Sequence, residues 1–538
     1  MDVQSLPNDN DELKQLLLKV IANQETYQST IDSQAKHIED QAIRIEILEA
    51  ELRLQRQKRF GASSEKHRDI YTEDLFKKDV QNIDLPTESD DDNIITVPEH
   101  KRKRRGQGNK KPLPQVDLVY DLSEEEKVCP RCNKKLKPIK DKTLVQYAII
   151  PAQFYLVNHI RKRYACDCKQ CIKTAEMPKQ VIPKSEASPQ ILAYLMVSKF
   201  LDGLPLHRQE KIAARQDMDL PRTKTSRWLI KSSDLFVPMI NLCEDQFFSN
   251  DIGMADETGV QVLKEDLRSP ESKSYLWMRR GGPPDKPVVL VDYSPSRAGE
   301  IPLRLLDGFK GYLVTDAYAG YNPAIEKQGL KWVACNDHAR RKYKEALQSL
   351  PKTHKKKGET IAEKALVFYN QLYALERKSK HLSYDERYRY RQEHSLPVWK
   401  QFHDWLLSTA THIYDEKTRT AINYTINHYE ALTRYCEDGR LPISNIQCEH
   451  VAKTIAISRK NFLFCDTPQG AHASAKIYSI IETARANGHN PLNYLTVLMT
   501  ELPNVESLEG YEALLPWNIT PDQIREKMAN YPTLRLAP

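Results

Sequence analysis

The amino-acid sequence predicts a multidomain α/β protein, and three patterns carry that expectation. A seven-residue apolar repeat lies near the N-terminus, cysteines recur in close pairs between Cys129 and Cys171, and extended apolar runs alternate with helical ones from Asp251 onward. At 538 residues the chain is too long for one core, so function is sought domain by domain. The 80 Lys+Arg against 73 Asp+Glu leave a net charge of only +7, so any attraction for a polyanion has to come from local clusters.

Residues 11–58 are expected to form a coiled coil. Leu17, Ile31, Ile38, Ile45 and Leu52 share one heptad register that Gln24 completes, and Val20, Tyr27 and Leu48 take the companion seam positions. Polar Gln24, Gln34 and Gln41 weaken such a seam and can fix its register. The length of the repeat favours self-association into a homo-oligomer; the alternative is one amphipathic helix packed on its own protein.

Residues 59–117 read as a linker. Its acidic stretch from Leu85 to His100 carries too little apolar content to fold alone, and it ends in a basic cluster, Lys101, Arg102, Lys103, Arg104 and Arg105. Such a cluster can displace counterions from a phosphate backbone, although basic runs are also common as solvated tails.

Residues 118–180 are expected to form a zinc-ribbon-like module with one structural Zn²⁺. Cys129 and Cys132 are spaced to approach one tetrahedral ion, and Cys168 and Cys171 repeat that spacing; Cys166 is the rival of Cys168. Apolar alternation over Val145–Ile150 and Phe154–His159 predicts a hairpin between the pairs. Ten cysteines, five of them in this segment, do not resemble a secreted disulfide framework. Residues 1–12 are acidic and lack the apolar core of a signal peptide, and no run approaches the roughly twenty apolar residues that span a bilayer. A cytoplasmic, nucleoid-associated protein is expected, with no membrane partner.

Residues 185–248 are expected to be helical. Segments from Gln209 to Arg215 and from Arg222 to Trp228, joined across Pro221, fit a helix-turn-helix whose second member offers Arg222, Lys224 and Arg227 to a DNA groove. Generic helical hairpins share the pattern.

Residues 249–480 carry the chemistry. Extended runs are expected at Gly253–Val262, Ser274–Met278, Pro287–Asp292, Gly311–Thr315 and Lys331–Cys335, with a helix at Ser296–Leu306 between the third and fourth. Three strands, a helix, then further strands separated by helices is the order of a ribonuclease H-like domain. A helical insertion at about 340–440 follows, and residues 481–538 form a C-terminal helical tail. Asp256 falls in the first run, Asp316 ends the fourth, and Glu449 opens a helical pattern after the insertion. Three such carboxylates would be hard oxygen ligands for two Mg²⁺ (or Mn²⁺) ions of the kind that promote in-line displacement at phosphorus.

The stretches Ala255-Asp-Glu-Thr258, Tyr293-Ser-Pro-Ser-Arg297, Thr315-Asp-Ala-Tyr-Ala-Gly-Tyr321, His338-Ala-Arg-Arg-Lys342 and Arg459-Lys-Asn-Phe-Leu-Phe464 closely resemble the insertion-sequence-sixty-six family of bacterial DDE transposases. Lys58-Arg-Phe-Gly-Ala-Ser-Ser-Glu-Lys66, Leu204-Pro-Leu-His-Arg-Gln209, Ile480-Ile-Glu-Thr-Ala484 and Leu515-Pro-Trp-Asn518 extend the resemblance almost from end to end. It implies that Asp256, Asp316 and Glu449 are the catalytic triad of a transposase that cleaves element ends and transfers strands into target DNA. It also implies smaller element-encoded accessory proteins. His338, Arg340 and Arg341 match a motif near the active domain and are expected at phosphates, as are Arg459 and Lys460. Relatives often carry Asp-Asn-Asn before the glutamate, where this chain has Ser444-Asn445-Ile446. Two other functions fit the same residues: a non-catalytic DNA-binding regulator, and a nuclease without strand transfer.

Overall fold

The computed structural model describes residues 152–165, 172–350, 360–410, 415–529 and 531, together with scattered positions between 10 and 135. The chain divides into two compact units, residues 1–66 with 154–538, and residues 67–153. The basic cluster at 101–105 and Cys129, Cys132, Cys166, Cys168 and Cys171 lie outside the described residues.

The described positions between 10 and 52 are helical, and Val20, Tyr27, Ile31, Ile45, Leu48 and Leu52 are all exposed on that helix. Around the cysteine segment, β1 (Arg163–Ala165) and β2 (Ile172–Thr174) pair antiparallel, Arg163 opposite Thr174 and Ala165 opposite Ile172. Phe154–His159 was expected to be a strand and has no regular structure. Leu156 and Ile160 are solvent-exposed there, Phe154 meets the Tyr194 ring edge-on at 5.7 Å, and the other half of the expected hairpin, Val145–Ile150, lies outside the described residues.

Helices α1 (Pro189–Phe200), α2 (Leu206–Ala214), α3 (Arg222–Ser233) and α4 (Val237–Phe248) make the helical segment. Ser188 caps α1 by accepting from the Ile191 N–H, and Pro189 starts it without losing an intrahelical bond. Helices α2 and α3 contact each other across the break at Pro221, as the helix-turn-helix pattern requires, and α3 is one turn longer than its apolar spacing suggests.

A five-stranded mixed sheet follows, built from β3 (Ile252–Gln261), β4 (Lys273–Gly281), β5 (Val288–Ser294), β6 (Tyr312–Thr315) and β7 (Lys331–Ala334) in the order β5-β4-β3-β6-β7. The first three strands form an antiparallel meander, and β6 and β7 add parallel to the other side of β3. Helices α5 (Glu300–Leu305) and α6 (Asn322–Gln328) serve as the crossovers. The turn into β6 requires glycine: Gly311 has φ +106°, and a Cβ there would sit 2.2 Å from the Asp251 carbonyl oxygen, where Tyr312 N–H bonds at 2.7 Å.

Helix α7 (Asn336–Ser349) leads from β7 into an all-helical insertion of α8 (Ile361–Ser379), α9 (Tyr384–Tyr390), α10 (Leu396–Thr409), α11 (Glu416–Asn427) and α12 (Tyr429–Thr433). Its core is aromatic: Tyr369 meets Trp399 edge-on at 5.9 Å and Phe402 at 5.4 Å, with Tyr343 beside them. Buried Arg391, on one π-helical turn, pairs with Glu376 at 2.6 Å and donates to the Tyr435 and Asp438 carbonyls, so its charge is matched and its donors are used.

The chain then returns to the sheet as α13 (Ile446–Phe462), α14 (Pro468–Ala486) and α15 (Pro491–Glu501), followed by α16 (Leu508–Ala513) and α17 (Pro521–Ala529). Helix α14 runs along edge strand β5, where Ser479 and Thr483 hydroxyls accept from Val291 and Val289 N–H groups at 2.8 and 3.0 Å. Two N–H groups of β5 are thereby capped by the side chains of Ser479 and Thr483, which blunts an edge that could pair with another chain. Among the described residues no helix is long and apolar enough to cross a membrane.

Candidate active site

Strand pairing sets two of the acids side by side. Met254 is opposite Val314 in the parallel β3–β6 pair; two residues further on each strand stand Asp256 and Asp316. Parallel neighbours run about 4.8 Å apart, so the two backbones deliver their carboxylates at one level, outside the C-terminal end of β6. Each is oriented locally: the Glu257 N–H donates to Asp256 Oδ1 at 2.8 Å, and the Tyr318 N–H to Asp316 Oδ1 at 3.0 Å.

The third acid arrives on α13, which packs its buried stripe of Cys448, Val451, Ile455 and Ser458 towards the sheet and lies against β3 and β4. Asn445, at the start of that helix, uses its side chain to reach β3 rather than to cap α13. Its Nδ2 donates to the Ala255 carbonyl at 2.9 Å, and its backbone N–H donates to Cys335 Sγ at 3.2 Å. Glu449 is one turn on. Cys335 Sγ donates to Glu449 Oε1 at 3.3 Å, His338 Nδ1 lies 3.3 Å from the same oxygen, and Arg341 lies 3.7 Å from Oε2.

Asp256 feels the charges of both other acids. Burial pushes the Asp256 carboxyl well above its usual range, and the negative charges of Glu257, Glu449 and Asp316 push it further, against the single opposing bond from the Glu257 N–H. Burial, then Glu449 and Asp337, likewise hold the Cys335 thiol well above its ordinary value, so it stays a donor. Among the described residues neither Asp256 nor Asp316 has a cationic partner. Asp256 and Asp316, without a counter-charge, are hard-oxygen donors of the kind Mg²⁺ prefers, although among the described residues the ligand atoms that lie within 4.8 Å of one another are those of Cys335, His338 and Glu449 and not those of the three acids.

Glu257, adjacent to Asp256, has a different role that the acid pattern did not reveal. It is bound through Oε1 by Arg297 at 2.5 Å and through Oε2 by the Tyr321 hydroxyl at 2.7 Å. Arg297 stacks over the Tyr318 ring at 3.8 Å, and the Tyr318 hydroxyl donates to the Arg297 carbonyl at 2.6 Å. Three separate motifs, Ala255–Thr258, Tyr293–Arg297 and Thr315–Tyr321, therefore meet at one ion pair. Strand alternation was the available signal: neighbours in β3 point to opposite faces, so Asp256 and Glu257 had to serve different surroundings.

The expected DNA contacts separate into two groups. Arg222, Arg227 and Lys460 are exposed, Arg341 is half-buried, and Lys224 pairs with Glu186 while lying over the Trp228 ring. Arg340 points inward, is only 8 % exposed and donates to Asn370 at 2.8 Å, and Arg459 donates to the Gly259 carbonyl and so ties α13 to β3.

Comparison with known proteins gives four family matches along the chain. Residues 184–473 match the transposase IS66 family, residues 479–517 the IS66 C-terminal element, residues 126–169 the zinc-finger binding domain of transposase IS66, and residues 47–118 the "Transposase C of IS166 homeodomain". The zinc-finger match contains Cys129, Cys132, Cys166 and Cys168 and stops short of Cys171. The chain thus falls in the transposase class. The chain is a member of the IS66 transposase family, whose description covers more than half of its length.

Similar proteins include three from Sinorhizobium fredii. Uncharacterized protein y4jD is 28% identical over 77% of this chain and 82% of its own length, and uncharacterized protein y4hP is 25% identical over 76% of each. Uncharacterized protein y4qI is 24% identical over 97% of this chain and 99% of its own.

Proposed function

We propose that this protein is a DDE-type DNA transposase that cleaves element ends with water and then uses the freed 3′ hydroxyl to attack target DNA, both steps being substitution at phosphorus in one ribonuclease H-like site. The observation that carries the reading is the delivery of Asp256 and Asp316 at one level of adjacent parallel strands, with the charge of Glu449 acting on Asp256. The strand order β5-β4-β3-β6-β7, antiparallel then parallel, supports the fold assignment.

Asp256, Asp316 and Glu449 would hold two divalent cations, Mg²⁺ or Mn²⁺, which when bound supply activation of the attacking oxygen and stabilisation of the departing one. The chain's own residues do the positioning. Asn445 holds the Glu449 helix against the Asp256 strand, and the Glu257–Arg297–Tyr321 cluster braces the opposite side of that strand. Arg341 and His338, at the rim beside Glu449, are suited to a phosphate oxygen at the site. Arg222, Arg227 and Lys460 are suited to flanking phosphates, together with the basic cluster at 101–105.

In this reading one Zn²⁺ stabilises the module around Cys129–Cys171 and holds it for contact with terminal DNA. The exposed apolar residues Ile31, Ile45 and Leu52 on the N-terminal helix support a coiled coil that joins protomers across two element ends. The protein would act on DNA in the bacterial cytoplasm, with element-encoded accessory proteins as further partners. The test is incubation of the full chain and Mg²⁺ with DNA carrying the element's ends and a target duplex. Cleaved and joined products are expected; cleavage without joining would make it a nuclease, and binding without either would make it a regulator.

A further inference from the structure

Glu449 belongs to a second constellation that is not made of acids. Cys335, between β7 and α7, His338, in the first turn of α7, and Glu449 each present one ligand atom, and these three atoms lie within 4.8 Å of one another. The sulfur and the His338 Nδ1 are each 3.3 Å from Glu449 Oε1. His338 Nδ1 is buried and makes no hydrogen bond. The Asn445 N–H donates to Cys335 Sγ at 3.2 Å and so helps to orient the sulfur. A sulfur, an imidazole nitrogen and a carboxylate oxygen are the donors that zinc-class ions select, with water able to take the fourth tetrahedral position. Mg²⁺, which prefers oxygen, has little use for the sulfur.

We propose that a thiophilic divalent ion of the zinc class binds Cys335 Sγ, His338 Nδ1 and Glu449 Oε1, and that its binding withdraws Glu449 from Asp256 and Asp316. As the sulfur–metal bond forms, the Cys335 proton leaves to solvent. Arg341 lies on the other carboxylate oxygen, leaving Oε1 for the ion. The same acid is thus shared between a hard-ion site that supports the reaction and a soft-ion site that stops it, and the sulfur and imidazole donors favour Zn²⁺ over Mg²⁺ at the latter. The inhibitory half rests on the transposase reading; the site itself does not.

The test uses the full chain in wild-type form and as Cys335→Ser and His338→Gln, all prepared in zinc-containing medium and dialysed against one low free Zn²⁺ concentration. Wild type is expected to retain about one Zn²⁺ per chain more than either variant. Equal zinc contents in all three would overturn the site, whether or not the protein cleaves DNA. In Mg²⁺-supported cleavage, each protein is compared with its own zinc-free rate. The Zn²⁺ concentration that halves the wild-type rate is expected to rise about tenfold or more in both variants, a loss of roughly 1.4 kcal/mol of binding. Extra zinc bound by wild type with no difference in inhibition would overturn the withdrawal of Glu449.

Discussion

The side-chain amide of Asn445 donates to the backbone carbonyl of Ala255 at 2.9 Å, joining the start of the Glu449 helix to the strand position immediately before Asp256. One hydrogen bond thereby couples two acids that are almost two hundred residues apart in sequence. Asn445→Ala removes it, at a cost of about 0.5–1.5 kcal/mol for one hydrogen bond. Denaturant unfolding should show that loss, and cleavage should fall further than stability because Glu449 is no longer held at its place. An Asn445→Ala protein with wild-type cleavage would show that α13 is positioned by its apolar stripe alone.

The Glu257 ion pair predicts a separable effect. Arg297→Ala leaves Glu257, which is itself almost fully buried, with only the Tyr321 hydroxyl, and the solvent-exposed half of the arginine limits the cost to about 1–3 kcal/mol. Tyr321→Phe removes one bond and costs about 1 kcal/mol. Because both residues brace one carboxylate, the double variant should lose a different amount from the sum of the singles, measured as a double-mutant cycle. Strict additivity would mean that the three motifs do not act as a unit.

Asp256 predicts the pH and metal response. Its carboxyl is held well above the usual range by burial first and by Glu257, Glu449 and Asp316 next, so the fold favours the protonated form. The sign follows: this contribution is present below the unfolded value of about 3.9 and is lost as pH rises through the raised folded value. In Mg²⁺-free buffer at neutral pH, Asp256→Asn is therefore expected to melt above wild type, and added Mg²⁺ should raise the wild-type midpoint more than that of the variant. A wild-type midpoint indifferent to Mg²⁺, and equal to that of the variant, would contradict it.

Much of this architecture is legible in the sequence. The five extended runs match β3 to β7 to within a few residues because each alternates or is wholly apolar, and the helical insertion reads from its period. The helix expected at Ser296–Leu306 begins only at Glu300, since Ser296 and Arg297 are drawn into contacts with Trp277 and Glu257. What is not legible is long-range. Nothing local marks Arg340 as the partner of Asn370 or Arg459 as the partner of Gly259, because charge alone reads as surface. In the Ser444-Asn445-Ile446 departure from the family pattern, Asn445, the retained residue, is the one that makes the bridge, while Ser444 is buried and Ile446 begins the helix.

Zinc content tests the module around the paired cysteines. Cys129→Ser, Cys132→Ser and Cys171→Ser are each expected to lose about one zinc equivalent from the purified full chain. With Cys168 as the fourth ligand, Cys168→Ser should lose it too while Cys166→Ser keeps it. The opposite result would give the fourth place to Cys166.

The most direct measurement is cleavage and joining of element-end DNA by wild type and Asp256→Asn side by side in Mg²⁺, with filter binding to the same DNA as control. Loss of one charge-stabilising group in such a site costs about 10²–10³ in rate, and a metal-holding carboxylate is expected to cost at least that much in both steps while DNA binding persists. An Asp256→Asn protein that cleaves and joins as fast as wild type would contradict the placement of the chemistry at Asp256, Asp316 and Glu449.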